Sequence, residues 1–147
     1  MTLIERLEQE VKAAMLARDA DRRDALRLIL SSLKSAEKDL LRPLTDDEAL
    51  QVMQRERKKR VEAAEAFQAA GRDAQAEKEE AELAVLEEFM PEPLGEEELE
   101  RIVDDAIAEN KATSMRDMGR VMADVMPQSA GRADGSAVSQ LVREQLA

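Results

Sequence analysis

The chain has 147 residues, 44% of them apolar, and its 33 acidic and 22 basic residues give a net charge of −11. The absence of cysteine and histidine excludes disulfides and thiolate chemistry, and removes the commonest general base and metal ligand. Two phenylalanines are the only aromatic residues, so the core must consist of aliphatic side chains and methionine, which favours an all-α protein.

The first two predicted helices are amphipathic. Thr2 and Glu5 form a capping-box pattern that opens the first helix. The second helix runs from about Asp21 to Leu41, and Pro43 marks its end. Their spacing places these residues towards the core: Leu3, Leu7, Val11, Ala14, Met15, Leu26, Ile29, Leu30, Leu33 and Leu40.

Two further helices are predicted before Pro91. Thr45 and Glu48 repeat the capping-box pattern, and this third helix ends at Gly71, which can adopt the left-handed conformation. A fourth helix follows from about Asp73 to Met90. The residues of the third helix predicted to face the core are Leu50, Met53, Val61, Ala64 and Phe67.

Pro91 and Pro93 form the clearest boundary in the sequence. Two prolines within three residues cannot continue a helix. The sequence therefore predicts a helical N-terminal domain of about four helices at residues 1–92. A small three-helix bundle is predicted at residues 93–147.

The predicted C-terminal bundle begins at Gly95, which precedes a run of glutamates that complements the positive end of a helix. Ser114 and Asp117 are predicted to cap the next helix, and Pro127 is predicted to end it. A last amphipathic helix is expected at residues 135–146.

Charge is unevenly distributed along the chain. Residues 1–60 carry 14 basic and 12 acidic groups, whereas residues 61–110 carry 3 and 17. Four basic residues of the second helix fall within an arc of roughly 60° beside its apolar face: Arg23, Arg27, Lys34 and Lys38. Joined to Arg55 and Lys59 of the third helix, they could follow a phosphate backbone. Without aromatic side chains to stack on bases, such contacts would recognise phosphate and shape rather than sequence.

The segment RERKKR, residues 55–60, has two interpretations. On a helical wheel Arg57 falls among the apolar positions, whereas Arg55, Lys58 and Lys59 point outwards and could bind phosphates. Alternatively the segment is a solvated charged face, with Arg57 paired to a carboxylate such as Glu37.

The segment GRADG, residues 131–135, has two interpretations as well. Gly131, Arg132 and Gly135 could receive a phosphate at the start of the last helix. Asp134, however, occupies an N-cap position, where its own carboxylate would fill the positive helix end. The residues alone favour a turn and cap.

Methionines recur on one face of the preceding helix. Met115, Met118, Met122 and Met126 suit either an irregular core or an adaptable groove for a partner protein. The core is the favoured use in so small a bundle, and Met115, Met118 and Met122 are the candidate partner-binding residues. No catalytic constellation, metal site or cofactor site is predicted, and the serines have no histidine to activate them. No span is of membrane length and no targeting segment is recognised, so we expect a cytoplasmic protein.

Several segments in order along the chain resemble the YqeY family: EAFQAAGRDAQAEKEEAELAVLEEFMPEPL, DMGRVMADVMP and GRADGSAVSQLVREQL. The resemblance implies a helical N-terminal domain joined to a small helical domain. That second domain is similar to the tail of GatB, the amidotransferase subunit that holds Glu-tRNA(Gln) during amidation. Met118, Gly119, Met122 and residues 131–135 match the shared tail motif.

The resemblance implies binding rather than catalysis. The leading hypothesis is an accessory tRNA-binding protein beside an amidotransferase or an aminoacyl-tRNA synthetase. One alternative is a protein-interaction adaptor that uses the acidic middle of the chain and the methionine face. Another, by family association alone, is a carbon–nitrogen ligase with glutamine as the amido donor.

Overall fold

The computed structural model describes all 147 residues and contains only helices and their connections, which confirms the all-α class. The chain divides into two compact units, Met1–Met90 and Pro91–Ala147. The first unit contains α1 (Leu3–Leu16), α2 (Ala20–Leu40), α3 (Asp46–Ala69) and α4 (Asp73–Glu87). The second contains α5 (Glu96–Glu109), a 3₁₀ turn (Met115–Asp117), α6 (Met118–Ser129) and α7 (Gly135–Leu146). No helix is long and apolar enough to cross a membrane.

The helices of the first unit start where their side chains satisfy the free amides of the first turn. Both predicted capping boxes are confirmed, Thr2 with Glu5 at α1 and Thr45 with Glu48 at α3. The apolar faces of all four helices meet in one core. Its buried members are Leu7, Val11, Ala14, Leu26, Ile29, Leu33, Ala49, Val52, Met53, Leu86 and Phe89.

The outer half of the α3–α4 hairpin, the half nearer its turn, contains a cluster of charged side chains between the two helices. Arg60 lies within 3.7 Å of Glu56, Glu79 and Glu82, and all four side chains are less than one quarter exposed. The small side chain of Ala64 is buried in this half of α3. Small residues allow the two helices to approach closely, and the arginine then fills the space at their margin.

The second unit is a three-helix arrangement around a core made largely of valine. Its buried members are Val103, Ala106, Val121, Val125, Val138, Val142 and Leu146. The 3₁₀ turn is opened by Ser114 and Asp117, so the predicted capping box is confirmed there too.

The prediction that Pro127 ends its helix is wrong, because α6 continues to Ser129. Pro127 lacks the backbone amide that would donate to the carbonyl four residues earlier, but it lies in the last turn, where two side chains donate to other carbonyls of the helix. The side-chain amide of Gln128 donates to the carbonyl of Asp124 at 2.9 Å. The buried hydroxyl of Ser129 donates to the carbonyl of Val125 at 3.1 Å.

Three residues predicted to face the first core are instead substantially exposed: Met15 (52%), Leu40 (44%) and Val61 (37%). Met15 and Leu40 lie in the last turns of their helices. In the outer half of α3, the side that faces α4 is occupied by Arg57, Arg60 and Ala64. Val61 therefore lies towards solvent. The fourth helix is also shorter than predicted and ends at Glu87 rather than Met90.

The connection between α2 and α3 is fixed by a charged cap. Arg42 donates to both carboxylate oxygens of Glu48, at 2.8 and 2.9 Å, while Glu48 also accepts the backbone amide of Thr45. These hydrogen bonds lower the pKa of Glu48 to about 2, and those from Arg42 make the largest contribution.

We expect the Glu48 carboxyl to titrate near pH 2 in the wild type and at a higher pH in Arg42→Ala, which loses the largest cause of the shift but keeps the hydrogen bond from the Thr45 amide; NMR of the side-chain carbon measures both. Since the folded pKa lies below the unfolded value, ionised Glu48 stabilises the fold above about pH 4.5. That contribution disappears as the pH falls through about 2. A wild-type titration near 4.5 would contradict the observed geometry.

Gly71 ends the turn between α3 and α4 with φ of +73°, whereas Gly119 lies inside α6 with open space around it. Gly71→Ala should lower the free energy of unfolding by about 1 kcal/mol, because a side chain strains the left-handed conformation. Gly119→Ala is the matched control and should be neutral or stabilising, since alanine favours a helix. Thermal or urea unfolding of both variants checks this contrast.

Candidate nucleic-acid interface

Two of the four basic residues predicted as a stripe on α2 are bound to acidic neighbours. The guanidinium of Arg23 lies 2.9 Å from Asp24, and the ammonium of Lys34 lies 3.1 Å from Glu8 of α1. Exposed ion pairs of this kind contribute little stability, yet they reduce the charge offered to an anion.

The other two basic residues of the stripe form no salt bridge, although Arg27 still interacts electrostatically with Asp24. Arg27 donates to the sulfur of Met15 at 3.6 Å and lines a groove between α2 and α4. Lys38 is exposed, and its side chain makes no hydrogen bond or ion pair. Two cations of the predicted stripe are therefore ion-paired, and the other two form no salt bridge.

Arg57 is buried, as its place among apolar positions predicted, with 8% of its surface exposed. It donates to the side-chain oxygen of Gln54 at 2.9 Å and lies 3.8 Å from Glu87. The carboxylate beside Arg57 is thus that of Glu87, while Glu37, the example considered from the sequence, accepts the backbone amide of Leu44 at 2.9 Å. Burial lowers the pKa of Arg57, and Glu87 acts against that effect.

The outward residues of the same segment remain available to solvent. Arg55, Lys58 and Lys59 are all exposed, and Arg55 has no acidic partner. Lys59 lies 3.6 Å from Glu56 while 71% of its side chain is exposed.

Arg55 and Lys59 line a cleft of about 460 Å³ between α2 and α3. Hydroxyl groups line the opposite wall. The full lining is Ser31, Ser32, Ser35, Ala36, Asp39, Val52, Arg55, Glu56 and Lys59. Sequence reasoning treats these serines only as nucleophiles and misses this arrangement. The spacing of Ser31 and Ser35, four residues apart on one helix face, is the signal that could have revealed it.

GRADG forms a corner that fastens the segment preceding α5. Gly131 is buried and has φ of +69°, which glycine adopts without strain. The Nε of Arg132 donates to the carbonyl of Glu92 at 3.0 Å, and the backbone amide of Leu94 donates to the carbonyl of Arg132 at 2.7 Å. A second nitrogen of Arg132 lies 3.6 Å from Glu98.

Asp134 occupies the N-cap position of α7, as predicted, with φ of −68° and ψ of 129°. Its side chain makes no capping hydrogen bond, so the expectation that the carboxylate caps this helix is wrong. Gly135 is the first residue of α7, and a β-carbon there would lie 3.9 Å from the terminal methyl of Met126.

The methionines mainly contribute to the second core. Met118, Met122 and Met126 are partly buried and pack against it, whereas Met115 is 46% exposed. Met118 and Met122 therefore offer a partner only the part of each side chain that the core leaves uncovered. No group of three acidic side chains is placed to hold a metal ion.

The amino-acid sequence matches one protein family and is similar to two known proteins. Residues 4–146 match the family described as Yqey-like protein. The chain is 32% identical over 146 residues to "Altered inheritance of mitochondria protein 41, mitochondrial" from Pyrenophora tritici-repentis, which covers 97% of this chain and 80% of that protein. It is 33% identical over 127 residues to a glutamyl-tRNA(Gln) amidotransferase subunit from Thermococcus gammatolerans. The second match covers 83% of this chain and 20% of the archaeal protein.

Arg132→Ala should loosen the corner by removing the hydrogen bond to the Glu92 carbonyl. We expect hydrogen exchange at the Leu94 amide to accelerate by about fivefold, corresponding to one net hydrogen bond of about 1 kcal/mol. Arg143→Ala is the matched control, because it removes the same charge from an exposed position on α7. Equal exchange at Leu94 in both variants would show that the Arg132 side chain does not hold this segment.

Proposed function

Because the chain belongs to the YqeY-like family and is similar to part of a glutamyl-tRNA(Gln) amidotransferase subunit, we propose that it is an accessory tRNA-binding protein. It works beside an amidotransferase or an aminoacyl-tRNA synthetase and presents or retains the tRNA. Amide transfer belongs to the partner enzyme. The observation that carries the proposal is the division of one basic segment into buried and exposed residues.

In that segment Arg57 and Arg60 face α4, and Arg55, Lys58 and Lys59 face solvent. Exposed cations bind RNA by neutralising phosphates and releasing counterions, which needs no base contacts. With no aromatic side chain on this surface to stack on a base, recognition depends on phosphate position and RNA shape. On α2, Arg27 and Lys38 are the members of the predicted stripe best able to extend the contact, since Arg23 and Lys34 are ion-paired.

The second proposed contact is GRADG, where Gly131, Arg132 and Gly135 adjoin the start of α7. About one third of the Arg132 side chain is exposed. Its guanidinium can therefore contact a phosphate while its Nε still donates to the Glu92 carbonyl. Such a phosphate competes with Glu98 for the same guanidinium. We therefore assign GRADG a weaker, positioning role. We also propose that the protein is cytoplasmic. One relative has a mitochondrial name, so imaging the tagged protein in cells tests this location.

A protein-interaction adaptor is the second candidate, and the outer face of α5 favours it. Seven acidic residues on this helix are exposed: Glu96, Glu97, Glu98, Glu100, Asp104, Asp105 and Glu109. Such a surface repels nucleic acid and attracts a basic partner. Met115 and the uncovered parts of Met118 and Met122 would supply adaptable apolar contacts.

The salt dependence of tRNA binding tests the main proposal. Filter binding of total tRNA should show an affinity that falls steeply with added salt, by about one unit of logarithmic slope for each phosphate contacted. Removing three exposed cations together, in Arg55→Ala/Lys58→Ala/Lys59→Ala, should lower the slope by about three units.

The control for that experiment is a variant with the same loss of charge elsewhere on the first unit, Lys12→Ala/Arg18→Ala/Arg72→Ala. These three residues are exposed and make no ion pair. The control should retain most of the wild-type affinity. Absence of tRNA retention by the wild type at low salt would overturn the proposal and leave the adaptor as the better candidate.

A further inference from the structure

We infer that the cleft between α2 and α3 is the seat of a single RNA phosphodiester group, held between two serine hydroxyls and two basic side chains. This inference rests on the proposed function and specifies where the RNA backbone is bound. It follows from how the residues lining the cleft are spaced on the two helices.

Two pairs of residues define the site. Ser31 and Ser35 are four residues apart on α2, and Arg55 and Lys59 are four residues apart on α3. Side chains at this spacing lie on the same helix face, about 6 Å apart. The cleft thus has hydroxyl donors on one wall and cationic donors on the other, the combination that suits a tetrahedral anion with a single negative charge.

The floor of the cleft holds the two walls in place. The hydroxyl of Ser32 donates to Glu56 at 3.1 Å, which links α2 to α3 directly. Glu56 also lies 3.7 Å from Arg60, whose side chain is mostly buried. Arg60 is shared with Glu79 and Glu82, so it offsets only part of the negative charge of Glu56. Lys59, only 3.6 Å from Glu56, stays exposed enough to turn towards an incoming anion.

Asp39 is the opposing feature of the site. It lies one helical turn beyond Ser35, lines the same cleft and is exposed. Its carboxylate repels an anion, so it restricts binding to a phosphate that sits towards Ser31 and away from Asp39. The lining therefore holds two cations, Arg55 and Lys59, and two acids, Asp39 and Glu56. Because Lys59 is paired with Glu56, Arg55 is the lining cation without an acidic partner, and this balance suits a singly charged phosphodiester better than a doubly charged phosphate.

The test compares four variants by filter binding of total tRNA across a salt series. Arg55→Ala should weaken binding about fivefold and reduce the salt slope by about one unit, because one phosphate contact is lost. Arg55→Lys should restore the slope. Ser31→Ala/Ser35→Ala should weaken binding by a similar factor with the slope unchanged, since it removes hydrogen bonds and no charge. Asp39→Asn should tighten binding about threefold.

Arg72→Ala is the matched control for Arg55→Ala, because this exposed arginine at the α3–α4 turn makes no ion pair or side-chain hydrogen bond. It should change affinity and slope only slightly. The serine substitutions lie at exposed helix positions where alanine is favourable, so folding should be retained.

The outcomes separate the cleft from the wider function. If the wild type binds tRNA and the Arg55 and serine variants match Arg72→Ala, the cleft assignment is overturned and the tRNA-binding proposal stands. If the wild type does not bind tRNA, titration with inorganic phosphate, followed by amide NMR signals of Ser31, Ser35 and Arg55, decides the rest. Shifts confined to these residues would keep an anion site without RNA, and their absence would overturn both proposals.

Discussion

The burial of Arg57 is the constraint on which the proposed RNA-binding surface of the first unit depends. A guanidinium cannot leave water without partners, and Arg57 finds them in Gln54 and Glu87. Once Arg57 and Arg60 face α4, the rotation of α3 about its axis is fixed. Arg55, Lys58 and Lys59 must then point outwards, because positions two residues away lie on the other side of a helix. The same segment therefore holds the hairpin together and supplies its exposed cations.

The acidic composition does not conflict with a local anion site. Residues 1–90 carry 16 basic and 21 acidic groups, and residues 91–147 carry 6 and 12, so both units are negative. At physiological ionic strength, charges farther apart than about 8 Å are largely screened. A phosphate in the proposed cleft would therefore respond mainly to the charges that line it, Arg55, Lys59, Asp39 and Glu56. The distant acids act chiefly on the rate of approach, where they disfavour non-specific contact with RNA.

The sequence predicts what is local and misses what depends on neighbouring helices. The capping boxes, the left-handed Gly71 and the burial of Arg57 follow from spacing within one helix, and the structure confirms them. Val61 has the spacing of a core residue, yet only the packing against α4 determines which side of α3 is covered. Pro127 has the signature of a helix end, yet α6 continues to Ser129, where the side chains of Gln128 and Ser129 donate to the carbonyls of Asp124 and Val125. The spacing of Ser31 and Ser35 indicates a hydroxyl-bearing face on α2, but the cations opposite it are brought there only by the packing of α3 against α2.

GRADG illustrates how a motif shared with relatives can serve the fold and still bear on function. Its two backbone hydrogen-bonding partners, Glu92 and Leu94, lie about 40 residues earlier in the chain, so the motif closes a long loop around α5 and α6. Closing a loop of this length costs conformational entropy, which the corner must offset with hydrogen bonds that only this backbone path allows. This structural demand alone is enough to require Gly131 and Arg132. A phosphate at Arg132 has to compete with Glu98, whereas a phosphate at Arg55 displaces no partner. The stronger contact with RNA is therefore expected on the first unit, even though the resemblance to an amidotransferase tail draws attention to the second.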